Sequence, residues 1–186
     1  MAAKSTLRNM VLCLTAVCLF CGAILGIVNA VTEKPIAEAA HNALVASIAQ
    51  VLPEGGTISD ANNSGNFEYY TSTSEDGVIG YAVKSSTIGF GGTLTLMVGI
   101  LPDGTVYNTS VLAHSETPGL GAKCTSDEKF KSQWEGFAPD KVLKVKKDGG
   151  DVDAITASTI TSRAYTLAVA NAVEFVKSMD GGLGNE

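Results

Sequence analysis

Basic residues, cysteines and histidines are scarce in this chain. Lys and Arg number 13 against 19 Asp and Glu in 186 residues, a formal net charge of −6. No dense basic patch exists, which excludes a nucleic-acid surface, since such a surface needs cations to neutralise phosphates. The loose cluster Lys141, Lys144, Lys146 and Lys147 lacks the interleaved aromatics of a stacking platform and reads as a solvated strand and loop. Of the 4 cysteines, Cys13, Cys18 and Cys21 fall in an apolar run and only Cys124 lies in the polar part. A lone thiol forms no intradomain disulfide, so the chain is not a disulfide-stapled module. Nor is there a cysteine cluster for an iron–sulfur centre in the polar part. The cysteines of the run read as small apolar helix residues. Of the 2 histidines, His41 reads as a surface residue, and His114 has no companions for a metal site or a catalytic triad.

What the chain does have is one long apolar run and enough further apolar residues, 45% overall, for a single core. No charge occurs between Arg8 and Glu33, and Met10 to Val28 is almost wholly apolar. At about 1.5 Å per residue this stretch spans the roughly 30 Å hydrocarbon core of a bilayer. Gly22 and Gly26 form a small-xxx-small step. Lys4 and Arg8 precede the run, while Glu33 and Lys34 cancel after it, so the positive-inside bias places the N-terminus in the cytoplasm and the rest outside. The run is too long for a cleaved signal peptide, and Phe20 before Cys21 and Val17 before Cys18 do not suit a lipoprotein signal. The expected organisation is a cytoplasmic N-terminus 1–8, a transmembrane helix 9–31, an amphipathic linker helix 32–53, one domain 54–180 and a flexible tail 181–186.

Apolar or small residues at Ile36, Ala39, Ala40, Ala43, Leu44, Ser47, Ile48 and Val51 put one face on the linker helix, which Pro53 ends. Gly55 to Gly65 reads as a loop. Strands are predicted at Phe67–Thr73, Val78–Ser85, Thr93–Leu101 and Thr105–Ala113, with turns at Glu75-Asp76-Gly77 and Pro102-Asp103-Gly104. In the third strand Leu94, Leu96, Val98 and Ile100 alternate with Thr93, Thr95, Met97 and Gly99. Trp134, the single tryptophan, is expected in the core, and Lys141 to Lys147 as a short strand or edge. Val169, Ala172, Val173 and Val176 recur at helical steps, so a last helix starts near Thr159 to Thr161. An antiparallel sheet with helices at its two ends gives an α+β domain.

Two stretches bear on function. In Asp153-Ala-Ile-Thr156-Ala-Ser158-Thr159-Ile-Thr161-Ser162, hydroxyls crowd a strand-to-helix turn. Two readings stand: the hydroxyls cap the helix, or the helix N-terminus, with its unpartnered amides and positive dipole end, holds a phosphate near Thr159. In His114-Ser115-Glu116-Thr117-Pro118-Gly119-Leu120-Gly121, Pro118 stiffens a loop while Gly119 and Gly121 permit positive φ or a close backbone approach to a flat ligand.

Asp153-Ala-Ile-Thr156-Ala-Ser-Thr159 resembles the flavinylation signature of the RnfG/NqrC family of FMN-binding domains, where Gly and Ala are usual in place of Ala157 and Ser158. Glu116-Thr-Pro-Gly-Leu-Gly121 resembles the loop lining the flavin site in that family, and Gly89-Phe90-Gly91-Gly92 is also similar to it. The resemblance covers nearly the whole chain. It implies one FMN-binding α+β domain behind a single transmembrane helix, and FMN joined to Thr159 through a phosphoester by a flavin transferase. It further implies Asp153 and Thr156 as recognition positions, Ser158 as a competing oxygen, and Glu116, Thr117, Gly119, Leu120 and Gly121 as flavin contacts. The expected role is an electron-carrier subunit, without catalytic residues or metal, of an Rnf complex. Such a complex couples electron flow between ferredoxin and NAD to Na⁺ or H⁺ transport, with the ferredoxin and NAD sites on other membrane and peripheral subunits. The chain's compactness favours RnfG over NqrC, whose relatives usually carry longer insertions. Other readings are the NqrC-type subunit of a Na⁺-pumping quinone reductase, a tethered flavoprotein of an extracellular electron-transfer chain, and a tethered binding module without flavin.

Overall fold

The computed structural model describes residues 6–75 and 77–180. Lys4, Asp76 of the first expected turn and the tail 181–186 lie outside the described residues. The chain divides into two units, residues 1–43 and 44–186.

The first unit is helical. Helix α1 spans Leu7–Val51 with Pro35 inside it, and its most apolar 18-residue window has a mean hydropathy of 2.7. It is long and apolar enough to cross a membrane. The buried residues of α1 are Ser47, Ile48 and Val51, in its last two turns. The helix stops at Val51, two residues before Pro53, because the residue preceding a proline is pushed out of the helical region.

The second unit is built on an antiparallel meander of β3 (Phe67–Ser74), β4 (Gly77–Ile88), β5 (Thr93–Ile100) and β6 (Val106–Ala113). All four match the predicted strands to within a few residues. The turn after β5 closes as expected, with the Gly104 amide donating to the Leu101 carbonyl at 2.9 Å. Two short strands precede the meander, β1 (Thr57–Ile58) and β2 (Asn62–Ser64), both paired with β3. The expected loop from Gly55 to Gly65 is therefore partly sheet. The free edge of β3 draws these polar segments into pairing, and Ser59 Oγ accepts from the Thr71 amide at 3.0 Å between them. Lys141 to Lys147 is not a strand. Val145 makes a single parallel bridge to Val152, and a 3-10 turn follows at Lys146–Asp148. Val145 and Val152 are buried while the lysines stay exposed, so the segment is held by two apolar pegs rather than a ladder.

The alternation on β5 separates two packed faces. Leu94, Leu96, Val98 and Ile100 join the main core with α3 (Thr159–Asp180), whose buried residues include Tyr165, Ala168, Val169, Ala172, Val173 and Val176. Trp134 is fully buried there as expected, stacked on Tyr165 at 5.3 Å and edge-on to Phe130, the side chain that the short helix α2 (Glu128–Ser132) buries. Met97, on the opposite face, packs with Tyr70 and Ala82 against Ile48, Val51 and Leu52. Gly99 is also on this face, and a methyl group there would overlap the Val51 carbonyl.

Gly99→Ala is therefore expected to destabilise this unit by about 2 kcal/mol, the usual cost of overpacking. Thermal unfolding of the full chain in detergent checks this, and an unchanged midpoint contradicts the close seat of Val51 on β5.

Candidate functional site

One end of the sheet assembles three segments that are distant in sequence. The β4–β5 connection Gly89–Gly92, the loop that follows β6 at His114 and the first turn of α3 meet there. Thr87 Oγ1 at the end of β4 donates to the Ala164 carbonyl at 2.9 Å and anchors α3 to that end.

Glu116 joins the three. Although it lies in a loop, Glu116 is only 5% exposed. Its Oε1 accepts from the Phe90 amide at 2.8 Å and the Gly91 amide at 3.4 Å, and its Oε2 accepts from Thr161 Oγ1 at 2.8 Å. Its own amide donates to His114 Nδ1 at 3.2 Å. Gly89 and Gly121 are small because a Cβ at either would overlap the Glu116 carboxylate. Beyond Glu116, Gly119 takes a φ of +76° in a turn whose Leu120 amide donates to the Thr117 carbonyl at 3.2 Å. Burial, and after it the Glu116 charge, push the Cys124 thiol up to about 11. Cys124 is thus a neutral core residue rather than a nucleophile.

These segments enclose a cavity of about 350 Å³ lined by Phe90, Glu116, Thr117, Leu120, Gly121 and the first residues of α3, 157–161. Phe90, Leu120 and Ile160 are exposed apolar side chains on its wall. Ligand pockets of this size are usually apolar with a few placed polar groups.

The hydroxyls of the α3 turn divide by burial. Ser162 Oγ accepts from the Ile155 amide at 2.9 Å and donates to the Ser158 carbonyl at 2.9 Å, so it ties the turn to the helix. Thr161 is spent on Glu116. Thr156 is exposed, Thr159 is half-buried, and Lys147 Nζ lies 3.4 Å from Thr159 Oγ1. Ser158, at the position preceding the helix, is buried and its Oγ has no hydrogen-bond partner, so it does not cap α3. Ala157 has a φ of +62°, a left-handed conformation costly for any residue with a Cβ.

Two ion pairs flank this turn. Lys146 Nζ meets Asp153 Oδ2 at 2.9 Å, and Arg163 grips Asp148 with two bonds of 2.7 Å. The bonded Arg163 guanidinium holds the Asp148 carboxyl below the usual carboxylate range. Asp153 is further fixed through its backbone, which exchanges hydrogen bonds with the Gln133 amide side chain at 2.8 and 3.2 Å.

Of the residues singled out from sequence, the cavity gathers Glu116, Thr117, Leu120, Gly121, Ser158 and Thr159. Asp153, Thr156 and Gly119 are not among its lining residues. Sequence reasoning did not assign Phe90, Ala157, Ile160 or Thr161 to the site. Phe90 between glycines and Thr161 in the hydroxyl run were the available signals, but only the Glu116 bonds bring them together. Among the described residues no group of His, Cys, Asp or Glu side chains is placed to hold a metal ion.

The donor set fits a phosphorylated aromatic ligand. It offers an apolar wall, an unpartnered buried hydroxyl, a helix N-terminus and a lysine beside a reachable hydroxyl.

Residues 89–174 match the FMN-binding domain family. The chain is 33% identical over 175 residues to the G component of the proton-translocating ferredoxin:NAD(+) oxidoreductase complex of Clostridium ljungdahlii, covering 91% of each chain. It is 34% identical over 197 residues to the G component of the ion-translocating oxidoreductase complex of Shewanella amazonensis, covering 94% of this chain and 90% of the relative. Among solved structures, it resembles the crystal structure of Shewanella oneidensis NqrC with a TM-score of 0.45 and 20% identity, covering 60% of this chain and 61% of that one.

Two substitutions test the local geometry. Ala157→Gly should stabilise the domain by up to about 1 kcal/mol by relieving the left-handed Cβ. Glu116→Gln turns an NH₂ group toward donors and should cost about 2 kcal/mol. Denaturant unfolding reads both, and shifts of the opposite sign contradict the geometry.

Proposed function

The chain belongs to the RnfG family of ion-translocating oxidoreductase components and contains its FMN-binding domain, and from that premise we propose that it is an electron-transfer flavoprotein subunit with FMN attached to Thr159. It serves a membrane-bound Rnf-type complex that couples electron flow between ferredoxin and NAD to Na⁺ or H⁺ translocation, together with other membrane and peripheral subunits. Its N-terminus is cytoplasmic and its FMN domain extracytoplasmic, where covalent attachment keeps the carrier from diffusing away.

The observation that carries this reading is the half-buried Thr159 hydroxyl at the edge of an aromatic-sized cavity and on the first turn of α3. Ser158 is the competing oxygen, but at 7% exposure it is closed to an enzyme that must approach from solvent. Among the described residues Thr159 has no general base beside it: its side-chain contact is the Lys147 ammonium, and the Asp153 carboxylate is held by Lys146. Modification therefore needs an external flavin transferase. In that step a bond forms from Thr159 Oγ1 to the FMN phosphorus of FAD as the pyrophosphate bond breaks. AMP leaves, and the hydroxyl proton passes to a base of the transferase. Asp153 and Thr156, which lie off the cavity lining on half-exposed and exposed positions, are the surface that the transferase reads.

When bound, flavin takes up and releases electrons, while the protein fixes its place relative to the next carrier. Here Phe90, Leu120 and Ile160 offer the apolar wall for the ring, and the Glu116 network fixes that wall to α3. Thr117, Gly119 and Gly121 shape the loop that borders it.

Thr159→Val exchanges the hydroxyl for a methyl of similar shape. Intact-mass measurement of the chain co-produced with its transferase should show loss of the FMN adduct, with unfolding and membrane insertion unchanged. A retained adduct rejects Thr159 as the acceptor.

A further inference from the structure

Ser158 occupies the position preceding α3, is 7% exposed, lines the cavity, and has an Oγ without a hydrogen-bond partner. Serine at this position ordinarily accepts from an amide of the first turn, which would satisfy it. A buried hydroxyl left unpaired is a net cost that apolar replacement removes. An unpaired hydroxyl at this position fits a partner that arrives with the ligand.

A second group, on the neighbouring 3-10 turn Lys146–Asp148, is free of ion pairs among the described residues. Lys146 and Arg163 are spent on Asp153 and Asp148, whereas Lys147 forms no ion pair among the described residues and reaches Thr159 Oγ1 at 3.4 Å. The short turn that carries Lys147 is pinned on both sides, by Lys146 to Asp153 and by Asp148 to Arg163. Lys147 is therefore held beside the acceptor by its neighbours' ion pairs. The cavity wall, in contrast, contains the Glu116 carboxylate, which repels an anion and favours the neutral ring.

We infer that Ser158 Oγ and Lys147 Nζ form the phosphate-binding pair of the site: the hydroxyl donates to, and the ammonium pairs with, the phosphodiester on Thr159. The inference rests on Thr159 being the flavin acceptor. It makes Ser158 a ligand donor rather than a competing acceptor, and it makes Lys147 part of the site although it is an exposed residue outside the cavity lining.

The test compares the full chain in detergent, bare and after modification by a flavin transferase with FAD, as wild type, Ser158→Ala and Lys147→Gln. Peptide mapping confirms the position of the flavin in each. In the bare form Ser158→Ala should raise the unfolding midpoint of the domain by about 2–4 °C, since it deletes an unpaired buried hydroxyl. In the modified form the same substitution should lower the midpoint by a similar amount. Lys147→Gln should leave the bare midpoint within about 1 °C and lower the modified one by about 2 °C, a loss that fades at high salt. A shift of equal sign and size in both forms for each variant, with FMN mapped to Thr159, overturns the phosphate pair and leaves the acceptor assignment standing. Flavin found on Ser158 in a Thr159→Val chain also overturns it. A wild-type chain that takes no FMN removes the acceptor assignment, and the pair with it.

Discussion

The buried carboxylate of Glu116 is the constraint on which the site depends. A carboxylate at 5% exposure, with no cationic partner among the described residues, must be met by hydrogen-bond donors, and Phe90, Gly91 and Thr161 supply them. These donors come from positions up to 26 residues before Glu116 and 45 after it, so satisfying one carboxylate draws the β4–β5 connection and α3 onto the same loop. Glycines at 89 and 121 follow from it, since the carboxylate leaves no room for a Cβ there. The cavity is the space that remains on the other side of these contacts.

Thr159 takes its place from a different set of bonds. Ser162 ties the Ile155 amide back to the helix, Gln133 holds the backbone of Asp153, and Arg163 grips Asp148. The turn is tight enough to force Ala157 into a left-handed conformation, one that glycine adopts without strain. In one short stretch, burial then sorts chemically similar hydroxyls into different tasks. Ser162 and Thr161 serve the fold, Ser158 is buried and unpaired beside the cavity, and Thr159 is half-buried.

Much of this was legible in the sequence where a single element decides the pattern. The alternation of Leu94, Leu96, Val98 and Ile100 identified the core face of β5, and the steps from Val169 to Val176 identified the buried stripe of α3. The apolar run before Glu33 identified the membrane-length helix. Illegible were features decided by a partner distant in sequence. Thr57–Ile58 and Asn62–Ser64 are exposed and very short, and only the open edge of β3 makes them strands. Lys141 to Lys147 looked like an edge strand because its buried residue, Val145, finds Val152 rather than a sheet. On the linker helix, Ile48 and Val51 of the expected apolar face are covered by the second face of the sheet, a contact that periodicity alone does not assign. The turn of the Glu116 loop was legible from Pro118 and its glycines, but the donors that bury the Glu116 carboxylate, and hence the place of Phe90 and Thr161, depend on tertiary contacts.

Peptide mapping by tandem mass spectrometry of the protein purified from its own membranes tests the central claim most directly. The account predicts that the fragment containing residue 159 bears the mass of FMN less one water, localised to the threonine oxygen. The same fragment found unmodified, or flavin localised to any other side chain, contradicts it.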